Sequence, residues 1–275
     1  MSSDFKTNSE IIQIEGVPEL RRWVTTGGIF LTPNADTIVN RELLANGGWE
    51  RGLIEYIRYR CFPHGKGTFI DVGAHIGLVT IPLAKNLPNV NFFAFEPSPF
   101  NHALLSQNLE LNELLGRVTL FQYAVSDSYG EIEMSLAHDN TVDNRIVVGK
   151  EREKGIYAEE TRKTLPVKRT TIDMELGAMG LVEPIVMKMD IQGHEVAALR
   201  GMQKVQPDVL IMEYWPYGLE RAGATREEIS HELSRFTHGA PMLGVDTVVR
   251  PGLHLEIMKA LLWGTENAIE IICAR

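Results

Sequence analysis

A chain of 275 residues, 44% of them hydrophobic and 23% charged, has enough apolar material for one large core or two small ones. Its formal net charge of −9 argues against a partner held through phosphates, so nucleic acid is not expected as substrate. Cys61 and Cys273 stand far apart without metal-ligand spacing, which sets aside a disulfide framework or a zinc ribbon.

The opening M-S-S-D-F-K-T-N-S-E is polar, with no apolar core of a secretory signal, and no run approaches the ~18 apolar residues of a membrane span. A soluble, cytoplasmic protein without a membrane partner is expected. Residues 1–65 read as an N-terminal helical extension: L-T-P-N-A-D is turn-rich, and N-G-G-W-E-R-G-L-I-E-Y-I-R-Y-R places Leu53, Ile54 and Ile57 at helical spacing. Residues 66–275 read as the main domain.

From residue 67 strands and helices alternate. T-F-I-D-V is a short buried strand, followed by a glycine-rich turn and the helical I-G-L-V-T-I-P-L-A-K, with Pro82 early enough to be tolerated. N-V-N-F-F-A-F-E is a second strand, after which Ser98 caps a helix with Pro99 at its first position and Phe100, Leu104, Leu105 and Leu109 on one side. R-V-T-L-F-Q-Y-A-V is a third strand.

Between about residues 128 and 172 the rhythm breaks. Glu131–Ala137 and L-P-V-K-R-T-T-I read as a β-hairpin insertion, and the charged E-R-E-K-G-I-Y-A-E-E-T-R-K between them is either a solvated loop or a lid. Then come the strand E-P-I-V-M-K-M-D, the helix H-E-V-A-A-L-R-G-M, the strand D-V-L-I-M-E-Y-W and a last strand A-I-E-I-I-C-A. Repeated units of this kind predict an α/β fold with an open, mostly parallel sheet covered on both faces.

The strongest motif is F-I-D-V-G-A-H-I-G, residues 69–77. Gly73 and Gly77, entering a helix after a carboxylate, let a ligand approach the backbone. The dinucleotide fingerprint G-x-G-x-x-G fails here, because Asp71 and Ile76 stand where its outer glycines belong. A pyrophosphate over this turn would be repelled by Asp71, whereas the cationic amino and sulfonium groups of S-adenosylmethionine (SAM) suit it. Glu96, 19 residues beyond Gly77, is placed to accept ribose hydroxyls in SAM or NAD alike. Ala124, Val125, Ser126 and Asp127 close the third strand, where adenine would lie or where an ordinary turn would.

At the fourth strand end, M-K-M-D-I-Q-G-H-E holds Asp190, His194 and Glu195. Three readings stand. Asp190 orients substrate or the SAM amino end while His194 or Glu195 removes a hydroxyl proton, the helix dipole keeping the imidazole neutral. Alternatively, Glu195 is only a first-turn acid and His194 a surface residue. A third reading gathers Asp190, Glu195 and Glu213 around Mg²⁺, a possibility not favoured because hard cations need more oxygen ligands than are locally available. Y-W-P-Y after Glu213 either lines an acceptor pocket or caps the sheet edge. The fourth strand lacks the N-P-P-Y of amino-group methylation, which shifts weight toward oxygen acceptors. His64, His102, His138, His231, His238 and His254 show no ligand spacing and are expected to be solvated or packed.

Taken together, F-I-D-V-G-A-H-I-G, F-E-P-S-P-F-N, A-V-S-D-S-Y-G, T-T-I-D and K-M-D-I-Q-G-H-E-V-A-A-L-R-G-M resemble the FkbM family of SAM-dependent methyltransferases over about residues 67–215. The resemblance implies a class I methyltransferase Rossmann-like fold with a seven-stranded sheet. It also implies O-methylation of a small hydroxylated metabolite such as a sugar or polyketide, with S-adenosyl-L-homocysteine (SAH) as product. Within these motifs His75 and Pro97 join Asp71, Gly73, Gly77, Glu96, Ala124, Val125, Ser126 and Asp190 as expected cofactor contacts. Many members carry Glu where this chain has Gln192, so that acid's role does not transfer. The alternatives are a non-catalytic binding module on the same fold and an NAD-type oxidoreductase.

Overall fold

The computed structural model describes residues 7–13, 18–260 and 266–275. Where helix alone was expected, strands come first: β1 (Asn8–Ile12), β2 (Leu20–Val24) and β3 (Ile29–Pro33) form a three-stranded antiparallel sheet. The helices α1 (Thr37–Asn46) and α2 (Arg51–Tyr56) follow, the second running on through a π-helical turn at Ile57–Cys61. Residues 1–6 and 14–17 of the expected extension lie outside the described residues.

The main sheet begins with β4 (Lys66–Val72), followed by α3 (Thr80–Asn86), β5 (Asn89–Phe95), α4 (Pro99–Leu111) and β6 (Val118–Phe121). Ser98 caps α4 as expected, its hydroxyl accepting from the Asn101 N–H. Near the end of α4, Asn108 and Asn112 stand one turn apart and close the free edge of β3. The Leu31 and Ile29 N–H groups donate to their side-chain oxygens at 2.6 and 2.9 Å, and their amide nitrogens donate back to the Leu31 and Ile29 carbonyls. Two asparagines thus stand in for a fourth strand, satisfying backbone groups that packing would otherwise strand. Gly28 (φ +152°) lies against them, and a Cβ there would come within 2.6 Å of the Asn112 side-chain oxygen.

The expected third strand divides. Its second half, β7 (Ala124–Val125), leaves the main sheet and joins a four-stranded sheet with β8 (Gly130–Leu136), β9 (Arg145–Ile146) and β10 (Lys163–Thr170), in the order β7-β10-β8-β9. The antiparallel β8–β10 pair is the expected hairpin insertion.

After the short α5 (Ile172–Leu176) the chain returns through β11 (Ile185–Met189), α6 (Glu195–Arg200), β12 (Val209–Tyr214), α7 (Pro216–Arg221) and α8 (Arg226–Leu233). It ends with β13 (His238–Pro241), β14 (Arg250–Pro251), α9 (Leu253–Ala260) and β15 (Ile269–Ala274). The main sheet has the order β14-β13-β15-β12-β11-β4-β5-β6. It therefore has eight strands where seven were expected, the extra one being the two-residue edge β14.

β15 runs antiparallel to both its neighbours, while β12, β11, β4, β5 and β6 are mutually parallel. Alternate residues of β4 feed opposite cores: Phe69 packs with Phe92, Val186 and Ile211, and Ile70 with Met187, Leu210 and Phe95. Burial on both faces is what a parallel sheet requires. Connections leave β4 toward β5 and β6, then jump back across it to β11. That reversal opens a crevice at the carboxyl ends of β4 and β11.

Candidate active site

A cleft of about 340 Å³ lies at this crevice, within the range of small-molecule sites. Asp71 at the end of β4 is buried, and its Oδ2 accepts the Thr80 hydroxyl at 2.5 Å. Its Oδ1 has no hydrogen-bond partner. Burial raises the Asp71 carboxyl above its ordinary range, against the pull of Lys188 and Thr80. Glu96, after β5, accepts the His75 N–H on Oε2 at 3.0 Å and the Ser98 N–H on Oε1 at 2.9 Å. Burial pushes it up to about 8.

Across the crevice Lys188 occupies the β11 position paired with Asp71. Its ammonium sits 3.2 Å from Asp190 Oδ2. Burial pulls the lysine down, but its acidic neighbours, Asp190 foremost, outweigh that and hold it charged. Asp190 Oδ1 accepts the Gln192 amide at 2.8 Å, and the same nitrogen donates to Glu213 Oε2 at 2.9 Å. Gln192 is thus the donor that lets two carboxyls share a wall. A glutamate in its place would remove that donor and add a third acid to the wall.

The helical part of the N-terminal segment also reaches the cleft. Trp49 and Glu50 line it, and Glu50 adopts a left-handed backbone (φ 41°) with its Oε2 buried and unpartnered. Burial raises Glu50 to about 8, opposed by Lys188. Glu213 is also raised well above the carboxylate range, by burial, Asp190 and Glu195. Among the described residues the lining carries seven carboxyl side chains (Glu50, Asp71, Glu96, Asp143, Asp190, Glu213 and Glu266) against a single lysine. Such a floor favours a cation.

The insertion closes one side. Thr141, Asp143, Ile146 and Tyr157 line the cleft, with Tyr157 edge-on to Trp215 at 5.7 Å between ring centres. The charged run expected as a solvated loop or a lid is held down by buried ion pairs. Arg145 bonds Asp143 Oδ1 at 2.6 Å and Glu159 Oε1 at 2.9 Å, and its guanidinium lies 4.6 Å from the Trp215 ring centre and 5.0 Å from that of Tyr157. Arg162 pairs with Asp143, and Arg221 with Glu159. Of Y-W-P-Y, Trp215 faces the cleft, Tyr214 is buried in the core and Tyr217 donates to Glu159.

Asp71, Gly73, His75, Glu96, Pro97, Ala124 and Asp190 thus converge on one cleft, while Gly77, Val125 and Ser126 do not line it. Gly73 (φ +89°) is required because a Cβ there would meet the Asp190 carbonyl oxygen at 2.0 Å. Gly77 is required by packing, its Cβ position lying 2.8 Å from Ile81 and Leu105 methyls. Room for a ligand is not what these two glycines provide. His194 does not line the cleft either. It is buried behind it with Nε2 3.0 Å from Ser126 Oγ, facing a separate cavity of about 210 Å³ shared with Asp127 and Arg169. The imidazole is held neutral as expected, burial lowering it to about 4, but it cannot reach an acceptor in the cleft. Glu195 Oε1 accepts the Ile191 and Gly193 N–H groups, bracing the turn after β11. Asp190 already faces the Lys188 ammonium, and no group of three or more metal-ligating side chains is assembled among the described residues. Lys188, Glu50, Trp49 and Tyr157 were missed. Of these, Lys188 carried a signal: a charged residue inside an otherwise apolar strand.

The strand order, with β15 reversed between β12 and β13, and a crevice at the topological switch define a class I, Rossmann-like methyltransferase fold. The family model described as Methyltransferase FkbM domain matches residues 71–236. The chain belongs to this family. It is 28% identical over 178 residues to methyltransferase sdnD of Sordaria araneosa, covering 54% of this chain and 67% of that protein. It is 27% identical over 132 residues to the hexuronic acid methyltransferase AglP of Haloferax volcanii, covering 48% of each. A crystal structure of methyltransferase FkbM from Methylobacillus flagellatus aligns with a TM-score of 0.43 at 14% identity, covering 76% of this chain and 44% of that one.

Proposed function

We propose that this protein is a SAM-dependent O-methyltransferase that acts on a hydroxyl of a small metabolite such as a sugar or polyketide. The observation that carries the reading is the carboxyl-rich floor of the cleft, in which Asp71 Oδ1 is buried without a partner. Bound SAM would supply a methyl group activated on a sulfonium, and its two cationic groups complement this floor. Asp71 and Asp190 are the acids that would face its amino end. The Glu96 carboxyl takes backbone N–H groups from His75 and Ser98 and a side-chain bond from Asn101, which fix it as the acid that would face the ribose hydroxyls. Pro97 and Ala124 flank that position. Trp49, Tyr157 and Trp215 offer aromatic faces to an acceptor. The sugar-acid acceptor in the name of the Haloferax relative supports a hydroxylated small molecule. An NAD-type reading fits poorly, since the same acids would repel a pyrophosphate.

Methyl transfer is an in-line displacement in which most of the acceleration comes from alignment. The insertion, pinned by Arg145, walls one side of the cleft. Incubating the protein with methyl-labelled SAM and a small-molecule extract of the source cells, read by mass spectrometry, tests the proposal. The expected result is label in a new small molecule bearing one added methyl group. SAH binding with no labelled product would point instead to a non-catalytic module.

A further inference from the structure

We infer that His75 is the catalytic residue that takes the acceptor's proton, and that Thr141 and Asp36 hold its ring in the required tautomer. The inference rests on the proposed methyl transfer to oxygen.

His75 lines the cleft from the turn after β4, in a left-handed backbone conformation (φ 52°) that a branched-chain or bulky residue adopts only at a cost. Its backbone is fixed by the N–H bond to Glu96. The ring is buried, with Nε2 2.7 Å from Thr141 Oγ1. Thr141 has one hydroxyl hydrogen, and Asp36 Oδ2 receives it, together with the Thr141 N–H at 3.0 Å. The hydroxyl therefore offers Nε2 only a lone pair, and Nε2 must carry the ring hydrogen. Asp36 is anchored in turn, its other oxygen accepting the Val39 N–H as the cap of α1. Nδ1 is left without a hydrogen and without any protein partner; it is buried in the wall of the cleft, so a hydroxyl reaches it only as the acceptor seats against the ring.

A histidine that only packs would have little use for this arrangement. Three separate segments, the N-terminal one, the β4 turn and the insertion, supply one side chain each to orient a ring whose remaining nitrogen is bare. His254 also has an unpartnered Nδ1, but it is enclosed between α9 and α8 and does not line the cleft. Of the carboxyls in the cleft, Glu50 is raised to about 8 and Glu213 is raised well above the carboxylate range, while Asp190 is already engaged by Lys188 and Gln192. Burial lowers His75 to about 4, so its ring is free at pH 7. Asp36 and Asp190 face it as anions and raise it, and Lys188 lowers it.

In the step itself the hydroxyl oxygen bonds the methyl carbon. The electron pair of the breaking carbon–sulfur bond stays on sulfur, and the hydroxyl proton passes to Nδ1. The positive charge lost at sulfur reappears on the imidazole, next to Asp190 and linked through Thr141 to Asp36. The cleft therefore keeps its total charge through the step, which limits the reorganisation it must make.

Two measurements test this together. Long-range ¹H–¹⁵N NMR of histidine-labelled protein, with His75 assigned by loss of its signals in His75→Gln, reads the tautomer directly. The expected result at pH 7 is a neutral ring protonated on Nε2, shifting toward a mixture of tautomers in Thr141→Val. An Nδ1-protonated or doubly protonated ring in the wild type, or a tautomer indifferent to Thr141→Val, overturns the inference. In the labelled-SAM extract assay, His75→Gln should lose about 10²- to 10⁴-fold in product formation, the usual contribution of a general base, while still binding SAH. Undiminished product formation overturns the inference, as does joint loss of product and SAH binding, which would make His75 a cofactor contact. Failure of the wild type itself to bind SAH is a different result and counts against the methyltransferase reading.

Discussion

Asp71→Asn should weaken SAH binding about ten- to a hundredfold while leaving the fold intact, the worth of about 1.5–3 kcal/mol for a hydrogen bond to a charged group. The substitution is close to isosteric. The asparagine oxygen can still accept the Thr80 hydroxyl, so its amide hydrogens fall where Oδ1 is now unpartnered. A donor then faces the ligand's ammonium where an acceptor stood. Calorimetric titration measures the change, and a melting curve separates it from misfolding. Equal affinity in the two proteins would remove Asp71 from the binding site.

Arg145→Ala should lower stability by about 3–5 kcal/mol, the usual cost of removing one partner of a buried ion pair. Arg145 is 1% exposed and bonds Asp143 and Glu159 while lying against Trp215 and Tyr157. Its loss leaves Asp143, Glu151 and Glu159 with less counter-charge and opens a void between two rings. At roughly 2–4 °C per kcal/mol for a chain of this size, the melting temperature should fall on the order of 10 °C. Because Asp143, Tyr157 and Trp215 line the cleft, acceptor turnover should fall with it. A shift of a degree or less would mean that the insertion is held by other contacts.

The sheet was largely legible in the sequence because its strands are buried on both faces and read as short apolar runs bounded by turns. Six of its strands stand where those runs predicted. β13 (H-G-A-P) was missed because a glycine and a proline dilute its signal, and β6 was overrun because its continuation, Ala124–Val125, is equally apolar but belongs to another sheet. The N-terminal strands carried a readable cue, Gly27-Gly28 between W-V-T-T and I-F-L-T, which is a hairpin pattern. What no local pattern could show is that Asn108 and Asn112, about eighty positions away, complete that sheet's edge.

The site divides along the same line. Asp71, Glu96 and Asp190 end strands, so their place at the crevice follows from sheet topology alone. His194 is also in a turn at the right sheet edge. Which way it faces depends on Ser126, whose hydroxyl captures the ring from behind. The Thr141–His75–Asp36 chain joins positions far apart in sequence and has no periodicity or spacing to announce it. Glu50 is comparable: an ordinary acid before a helix, whose burial becomes apparent only once Lys188 and Glu270 stand beside it.

The most direct test of an acidic cleft built for a cationic methyl donor is calorimetry of the wild-type protein with SAH, repeated in buffers of different ionisation heat. Glu50 and Glu96 lie at about 8, so both hold protons near neutrality before the ligand arrives, and Asp71 and Glu213 are raised in the same direction. An arriving ammonium favours their ionised forms and drives protons off, so affinity should rise as pH increases from 6 toward 8. The account predicts saturable binding with net proton release at pH 7. No binding, or binding with proton uptake and affinity that falls over that range, would contradict it.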